Sequence, residues 1–293
     1  MANLKEIRNR IVSVSSTKQI TSAMKMVSAA KLKKAQDAIT EMRPYSNKLQ
    51  EILQNVSASL DNSEGIYSEE REVKNVLIVG ITSNRGLCGG FNNNVIKIVK
   101  SIAADEQKKG ANVTVLSIGK KINDAFKNSE LAIQGTLLPR HLDSIWDELT
   151  YDNSSKIADK LMTQFTDHHQ DKIVLVYNQF KNAAVQDVQR EQFLPIVATA
   201  SEDNSSATDY LYEPDKKEIL DDLIPKSLKT QFFKALLDSQ ASEHGARMTA
   251  MHKATDNASD LIDDLKLIYN KARQAAITNE ILEIVGGAEA LKN

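Results

Sequence analysis

The chain has 293 residues, a formal net charge of −2, 26% charged and 41% hydrophobic residues, and one cysteine, Cys88. A single thiol excludes an internal disulfide framework and a multi-thiolate metal module, and apolar runs of only a few residues exclude a membrane-spanning helix. Five prolines, eleven glycines and 5% aromatics point away from an all-β sandwich and toward long helices.

No Gly or Pro occurs from Met1 to Arg43, so the first segment is free to be helical well beyond the usual length. Leu4, Ile7, Ile11 and Val14 step by three and four along one face. The stripe breaks at Ser15-Ser16-Thr17 and resumes at Ile20, Ala23/Met24, Val27 and Ala30, which predicts a continuous helix whose seam shifts phase. A bend is expected at Pro44, with Leu49, Ile52, Leu53 and Val56 carrying the helix to about residue 60. Ten basic against three acidic side chains give residues 1–50 a charge of +7, which marks an oriented partner surface. The start lacks the apolar core of a secretory signal and the character of a transit peptide, so a cytoplasmic location is expected.

The middle reads as α/β. Val76–Ile81 is a buried-strand run, followed by a loop and a helix from about Asn92 to Lys108. Val113–Ile118 is a second strand closed by Gly119. A helix around Asp152–Phe165 leads into a third strand, Ile173–Tyr177, and Gln192–Val197 is a candidate edge strand. Strand–helix alternation implies a largely parallel sheet covered by helices. Residues 201–225, acidic and bounded by Pro214 and Pro225, read as a connector.

Between Pro225 and Gly286 the only breaker is Gly245. Met251, Thr255, Ala258, Ile262, Leu265, Tyr269, Ala272 and Ala276 alternate steps of four and three, a heptad seam over more than three repeats with many small residues. About sixty helical residues at roughly 1.5 Å each make a rod on the order of 90 Å, which needs a partner helix. The N-terminal helix is the candidate, and an antiparallel pair is the economical arrangement. The organisation expected is an N-terminal shaft helix over 1–60, a central α/β domain over 61–213 and a C-terminal shaft helix over 214–293.

Motifs that would mark chemistry are few along the chain. The loop Thr82–Phe91 follows a strand and precedes a helix, where a phosphate cradle would sit. It has neither G-x-G-x-x-G nor G-x-x-x-x-G-K-[ST] spacing, and reads as a tight turn. The five histidines form no H-E-x-x-H, and His168-His169 reads as a solvated helix end. No G-x-S-x-G elbow marks a nucleophile. Met24, Met26, Met248 and Met251 read as packing residues, and the basic N-terminal face lacks the interleaved aromatics of a single-strand nucleic-acid binder. These residues describe a mechanical or scaffold protein. A stand-alone coiled-coil adaptor and a nucleotide-dependent enzyme using the loop after Val76–Ile81 stay open as alternatives.

Three blocks resemble the gamma subunit of the bacterial F-type ATP synthase: Lys5-Glu6-Ile7-Arg8 through Ile20-Thr21-Ser22-Ala23-Met24-Lys25-Met26-Val27; Arg85-Gly86-Leu87-Cys88-Gly89-Gly90-Phe91-Asn92; and Ala241-Ser242-Glu243-His244 through Arg247-Met248, Ala254–Ala258, Arg273–Ile281 and Glu283–Ala288. Ser16, Lys18-Gln19 and Asn84 depart from the family pattern. The resemblance implies the central rotor of a proton-translocating complex, present once per complex and without catalytic residues, cofactor or metal of its own. It implies an antiparallel coiled-coil shaft inside an alpha/beta hexamer, with the α/β body against the epsilon subunit and the ring of c subunits, on the cytoplasmic face of the bacterial inner membrane. By the same resemblance, Met24, Lys25, Arg247, Arg273, Gln274, Thr278 and Glu280 are the expected coupling contacts. Ile281, Leu282, Ile284, Val285, Ala288 and Leu291 are the expected apolar bearing tip. Arg85 and the glycine loop are expected to serve as architecture or subunit contact, and Cys88, without a partner thiol, carries no redox switch.

Overall fold

The computed structural model describes residues 4–57, 66–69, 71–133, 138–139, 141–196 and 216–290, with the side chains of 47, 50–57, 216–221 and 290 excepted. In chain order its elements are α1 (Leu4–Ser57), β1 (Asn75–Ile81), α2 (Phe91–Lys108), β2 (Asn112–Ile118), α3 (Lys120–Phe126), a 3-10 turn (Ser144–Trp146), α4 (Tyr151–Thr166), β3 (Lys172–Phe180), β4 (Gln186–Leu194) and α5 (Lys216–Ala290). The chain divides into two compact units, one made of the residues up to Ser28 with those from Met248 on, the other of Ala29–Arg247.

The first unit is an antiparallel helix pair. Thr21 and Thr255 share a hydrogen bond of 2.8 Å between their hydroxyls. Arg8 donates to the Tyr269 hydroxyl at 2.7 Å and lies over its ring. Positions rise along α1 as they fall along α5. On α5 the expected seam is the covered one, from Met251 through Thr255, Ala258, Ile262 and Leu265 to Tyr269, Ala272 and Ala276.

On α1 the predicted phase shift does not occur. The covered positions include Leu4, Ile7, Ile11, Val14, Lys18, Thr21, Lys25 and Ser28, an unbroken alternation of three and four flanked by Ser15, Ser22 and Met24, while Ile20 and Val27 are 60% and 56% exposed. The reason lies in the partner helix. The α5 seam runs without interruption, so a slip in α1 would leave it unmatched, and the pair keeps register by accepting polar and small residues at the contact. Met26, read as a packing residue, is exposed as well.

In the second unit the sheet order is β2-β1-β3-β4, with β1 parallel to β2 and β3 and with β4 antiparallel to β3. Alternate residues of β1 face opposite layers, as strand geometry requires. Leu77, Val79 and Ile81 pack with Leu161 and Phe165 of α4 and with Leu228, Phe232 and Leu236 of α5. Val76 and Ile78 pack with Val95 and Val99 of α2 and Ile122 and Phe126 of α3. The sheet is therefore sandwiched between helix layers, and α5 is one of the covering elements. The edge strand begins at Gln186, earlier than expected, and ends at Leu194. Its first residues form a half-buried polar run without an apolar pattern, and Asn182 fixes the hairpin by accepting from the N–H groups of Ala184 and Val185 at 2.9 and 2.8 Å.

Residues 216–225 are helical, contrary to the connector reading, and 201–215 lie outside the described residues. Pro225 stands inside α5 and Pro44 inside α1. A helix-interior proline costs about 3 kcal/mol, which the burial of Ile224 and Leu228 beside Pro225 offsets at roughly 1.5–3 kcal/mol each. His168, the exposed residue near the end of α4, is paired with Arg71 through its Nδ1.

Candidate functional site: the glycine loop and the helix it holds

The loop after β1 is built from both ends. Thr82 continues the strand pairing by donating from its N–H to Ile118 at 2.8 Å. Asn92, at the start of α2, accepts from the Ser83 N–H at 3.0 Å and donates to the Ser83 hydroxyl at 2.9 Å. That hydroxyl in turn donates to the Arg85 carbonyl at 2.5 Å. Leu87 and Gly89 turn the chain with left-handed φ of 62° and 60°, and Cys88 is folded beneath, 2% exposed, its thiol pKa pushed up by burial.

The same turn also ties down the start of α3. At the start of α3, the N–H groups of Lys120, Lys121 and Ile122 donate to the Asn84 side chain, the Ser83 carbonyl and the Thr82 hydroxyl at 3.0, 3.2 and 3.0 Å. Toward α5 the loop presents the carbonyls of Arg85 and Gly86. Arg247 of α5 takes them: Nη2 donates to Arg85 and Gly86 at 3.3 Å each, and Nε donates to Gly86 at 3.4 Å. Its Nη1 donates to the Glu243 carboxylate at 2.7 Å, one helical turn back. Arg247 is 7% exposed, so its guanidinium is buried against the loop and not spread on the helix surface.

The surrounding contacts seat the same stretch of α5 at the carboxyl ends of β1 and β3. Ser242 donates to the Asn178 carbonyl at 3.1 Å, and Asn178 donates to the Phe91 carbonyl at 3.3 Å. Ala246 packs with Cys88 and Phe91. A side chain on Gly245 would press on the Ala183 backbone at 3.2 Å and the Phe180 ring at 3.4 Å, so glycine lets the helix approach the β3–β4 hairpin. In an open α/β sheet this crevice, where connections leave in opposite directions, is where a ligand would bind. Here the chain fills it with its own helix.

Electrostatics follow from the burial. Desolvation lifts the Glu243 carboxyl above its ordinary range against the pull of Arg247. Burial lowers His244 to about 4, helped by Arg247 and Lys31. Deeper under α5, burial raises Asp238 to about 6. Glu191 accepts there from Tyr177 at 2.8 Å and from Gln231 at 2.7 Å. Among the described residues no cluster of His, Cys, Asp or Glu could hold a metal ion.

The other expected contact residues lie in the first unit. Met24 and Lys25 are half-buried on α1, Lys25 at a seam position. Arg273, Gln274, Thr278 and Glu280 are exposed on α5, with Thr278 donating to the Gln274 carbonyl at 2.9 Å. Ile281, Leu282, Ile284 and Val285 are exposed, as is Ala288, and Leu291 lies outside the described residues. Glu243 is the partner that motif reasoning overlooked, although its four-residue spacing to Arg247 was visible. Asn178 and Ser242 carry no such signal.

A protein-family model described as ATP synthase matches residues 3–291. The ATP synthase gamma chain of Christiangramia forsetii is 64% identical over 292 residues, with 99% of each chain covered, and that of a Geobacter strain is 42% identical with both chains fully covered. The chain belongs to the ATP synthase gamma-chain family. Its fold is similar to that of a chain in the solved OSCP/F1/c-ring structure of the Euglena gracilis mitochondrial ATP synthase in rotational state 3, with a TM-score of 0.69 at 21% identity and 98% and 94% of the two chains covered. A gamma chain is a subunit of a membrane-associated complex. Among the described residues, no helix of this chain is long and apolar enough to cross a membrane.

Proposed function

We propose that this chain is the central rotor of a proton-translocating ATP synthase. Its helix pair is the shaft inside a hexamer of alpha and beta subunits, and its α/β body is the part that meets the epsilon subunit and the c ring, at the cytoplasmic face of the inner membrane. The shaft is drawn from the expected segments 1–60 and 214–293 and the body from 61–213, with α1 from Ala29 on and α5 up to Arg247 belonging to the α/β unit. The chain performs no chemistry itself. It converts rotation into altered nucleotide affinity in its neighbours, because a shaft that binds each catalytic state differently shifts the balance among those states.

The observation that carries this reading is the character of the helix pair's surface. Val12, Ile20, Met26 and Val27 on α1, and Ile277, Ile281, Leu282, Ile284 and Val285 on α5, are large apolar side chains left exposed. An apolar surface of this kind marks a contact with protein, and non-directional contact suits a surface that must slide. Met24 and Lys25 meet the catalytic subunit at the neck, Met24 by apolar contact and Lys25 by its charge; Arg273, Gln274, Thr278 and Glu280 supply a polar catch with the sleeve, and Arg247 takes part in coupling from its place in the α/β unit. Exposed ion pairs contribute at most about 1 kcal/mol each, so the coupling is distributed.

The lack of either phosphate-loop glycine spacing in Thr82–Phe91, and the Arg247 side chain lying against that loop, weigh against the nucleotide-enzyme alternative. The decisive experiment is purification of the native chain with its partners, followed by assembly with alpha and beta subunits and observation of ATP-driven rotation of a bead fixed to the body. A chain that purifies as a homo-oligomer without ATPase subunits would end the rotor reading.

A further inference from the structure

We propose that the Arg247–Glu243 pair, bonded to the Arg85 and Gly86 carbonyls, is the fastening by which the α/β body grips α5. On this view Arg247 is a positioning residue for coupling, acting within its own chain.

The geometry is specific to a grip. Three hydrogen bonds from one guanidinium reach two successive carbonyls of the loop, and its remaining face is taken by Glu243 on the same helix. A guanidinium fork suits this multidentate arrangement where an ammonium cannot match it. The loop so held contains Leu87 at a left-handed φ, a conformation that costs a β- or γ-branched residue free energy and persists only when its surroundings hold it. Ser83 holds the loop from inside, and Arg247 holds it from the helix. Arg247 is also the last residue of the α/β unit, and α5 runs on from it without a break. Force applied to the body therefore reaches this helix through the Ser242–Arg247 contacts as well as through the apolar layer beneath. The apolar layer is non-directional and resists sliding weakly, while hydrogen bonds to fixed carbonyls define one axial and angular position.

The chain carries its own reporter. Cys88 is its only cysteine, buried beneath the loop and packed against Ala246. If Arg247 fastens the loop, loosening it should uncover the thiol.

The test uses the assembled complex with the full chain, in which R247A, R247K and E243Q are compared. The rate of Cys88 alkylation is read by mass spectrometry of its peptide, and the ratio of protons pumped to ATP hydrolysed is read in vesicles. R247A should raise the alkylation rate about tenfold, the factor that accompanies loss of one charge-assisted hydrogen bond, and should lower the pumping ratio. R247K should recover part of both, and E243Q, which keeps volume and should fold, should move both in the same direction as R247A by less. The ratio separates a coupling role from a structural one, since a chain that is merely less stable loses hydrolysis and pumping together. Unchanged Cys88 labelling in R247A and E243Q overturns the proposal, as does faster labelling with an unchanged ratio. The coupling role rests on the rotor reading, but the labelling arm does not: a chain that failed to assemble with alpha and beta subunits would refute the rotor, while labelling of the free chain would still test the fastening.

Discussion

Replacing Asp238 with Asn should change how the stability of the α/β unit depends on pH. Asp238 is 2% exposed in α5, and burial raises its carboxyl from 3.8 to about 6 against the opposing effects of Lys234, Arg43 and a backbone bond from Phe180. A folded value above the unfolded one means that the native state favours the proton. The contribution is fully present below the unfolded value and is lost as pH rises through about 6. A shift of about two units at roughly 1.36 kcal/mol per unit corresponds to about 3 kcal/mol across the window. Asn retains an oxygen for the Phe180 N–H and has no charge to desolvate. D238N should therefore gain on the wild type by about 3 kcal/mol between pH 4 and pH 8, whatever fixed offset separates the two at pH 4. Urea denaturation of the full chain at a series of pH values measures this through Trp146, the only tryptophan, which packs against the same apolar layer as Phe232. His244, lowered to about 4, acts with the opposite sign: its contribution is present above about 6.5 and is lost on acidification. Glu243 titrates in both proteins too, so both effects cancel in the difference curve. Parallel profiles for the two proteins would refute the reasoning.

Gly119 has φ of 97°, and a Cβ there would run into the Thr82 carbonyl; G119A should destabilise the α/β unit by at least about 1–3 kcal/mol, read as a lower urea midpoint at an unchanged slope. The Thr21–Thr255 pair sits in the helix seam, where one hydroxyl donates to the other and the acceptor's own proton goes to a carbonyl of its helix, Lys18 or Met251. Replacing both partners by isosteric valine removes the polar groups together, which is near neutral or stabilising by up to about 1 kcal/mol. Hydrogen exchange over residues 18–25 and 252–259 should show equal or stronger protection in T21V/T255V, and weaker protection would show that the hydroxyl pair holds the helices together.

Much of the fold was legible because it rests on periodicity. The α5 seam is covered at each predicted position, and β1, β2 and β3 fall on their apolar runs. The misreadings share a cause, which is that pattern on one element says nothing of the element it meets. Ile20 and Val27 looked like the continuation of the α1 seam since apolar residues default to the inside. The register of the pair is set by the unbroken α5 seam, which places Lys18, Thr21 and Lys25 at the contact instead. Pro225 and the acidic stretch before it looked like a connector, but Ile224 and Leu228 bury against the sheet, and tertiary packing outweighs the helix-breaking preference of one residue.

The loop after β1 was legible in position and not in polarity. Its place between a strand and a helix, with three glycines, is that of an anion cradle, and spacing alone argued against one. What decides its chemistry is the direction of its peptide groups. With Asn84, Ser83 and Thr82 capping α3 and Asn92 holding Ser83, the turn is fixed so that the Arg85 and Gly86 carbonyls face α5. A row of carbonyls needs a cation, and the helix that covers the crevice supplies Arg247 with Glu243 balancing its charge in the low-dielectric site, where an unpaired guanidinium would be costly. The Glu-x-x-x-Arg spacing was in plain view, but only the loop at the other end of the guanidinium distinguishes a fastening from an ordinary surface pair. That distinction separates a body that could have held a ligand from one whose crevice is closed by its own helix.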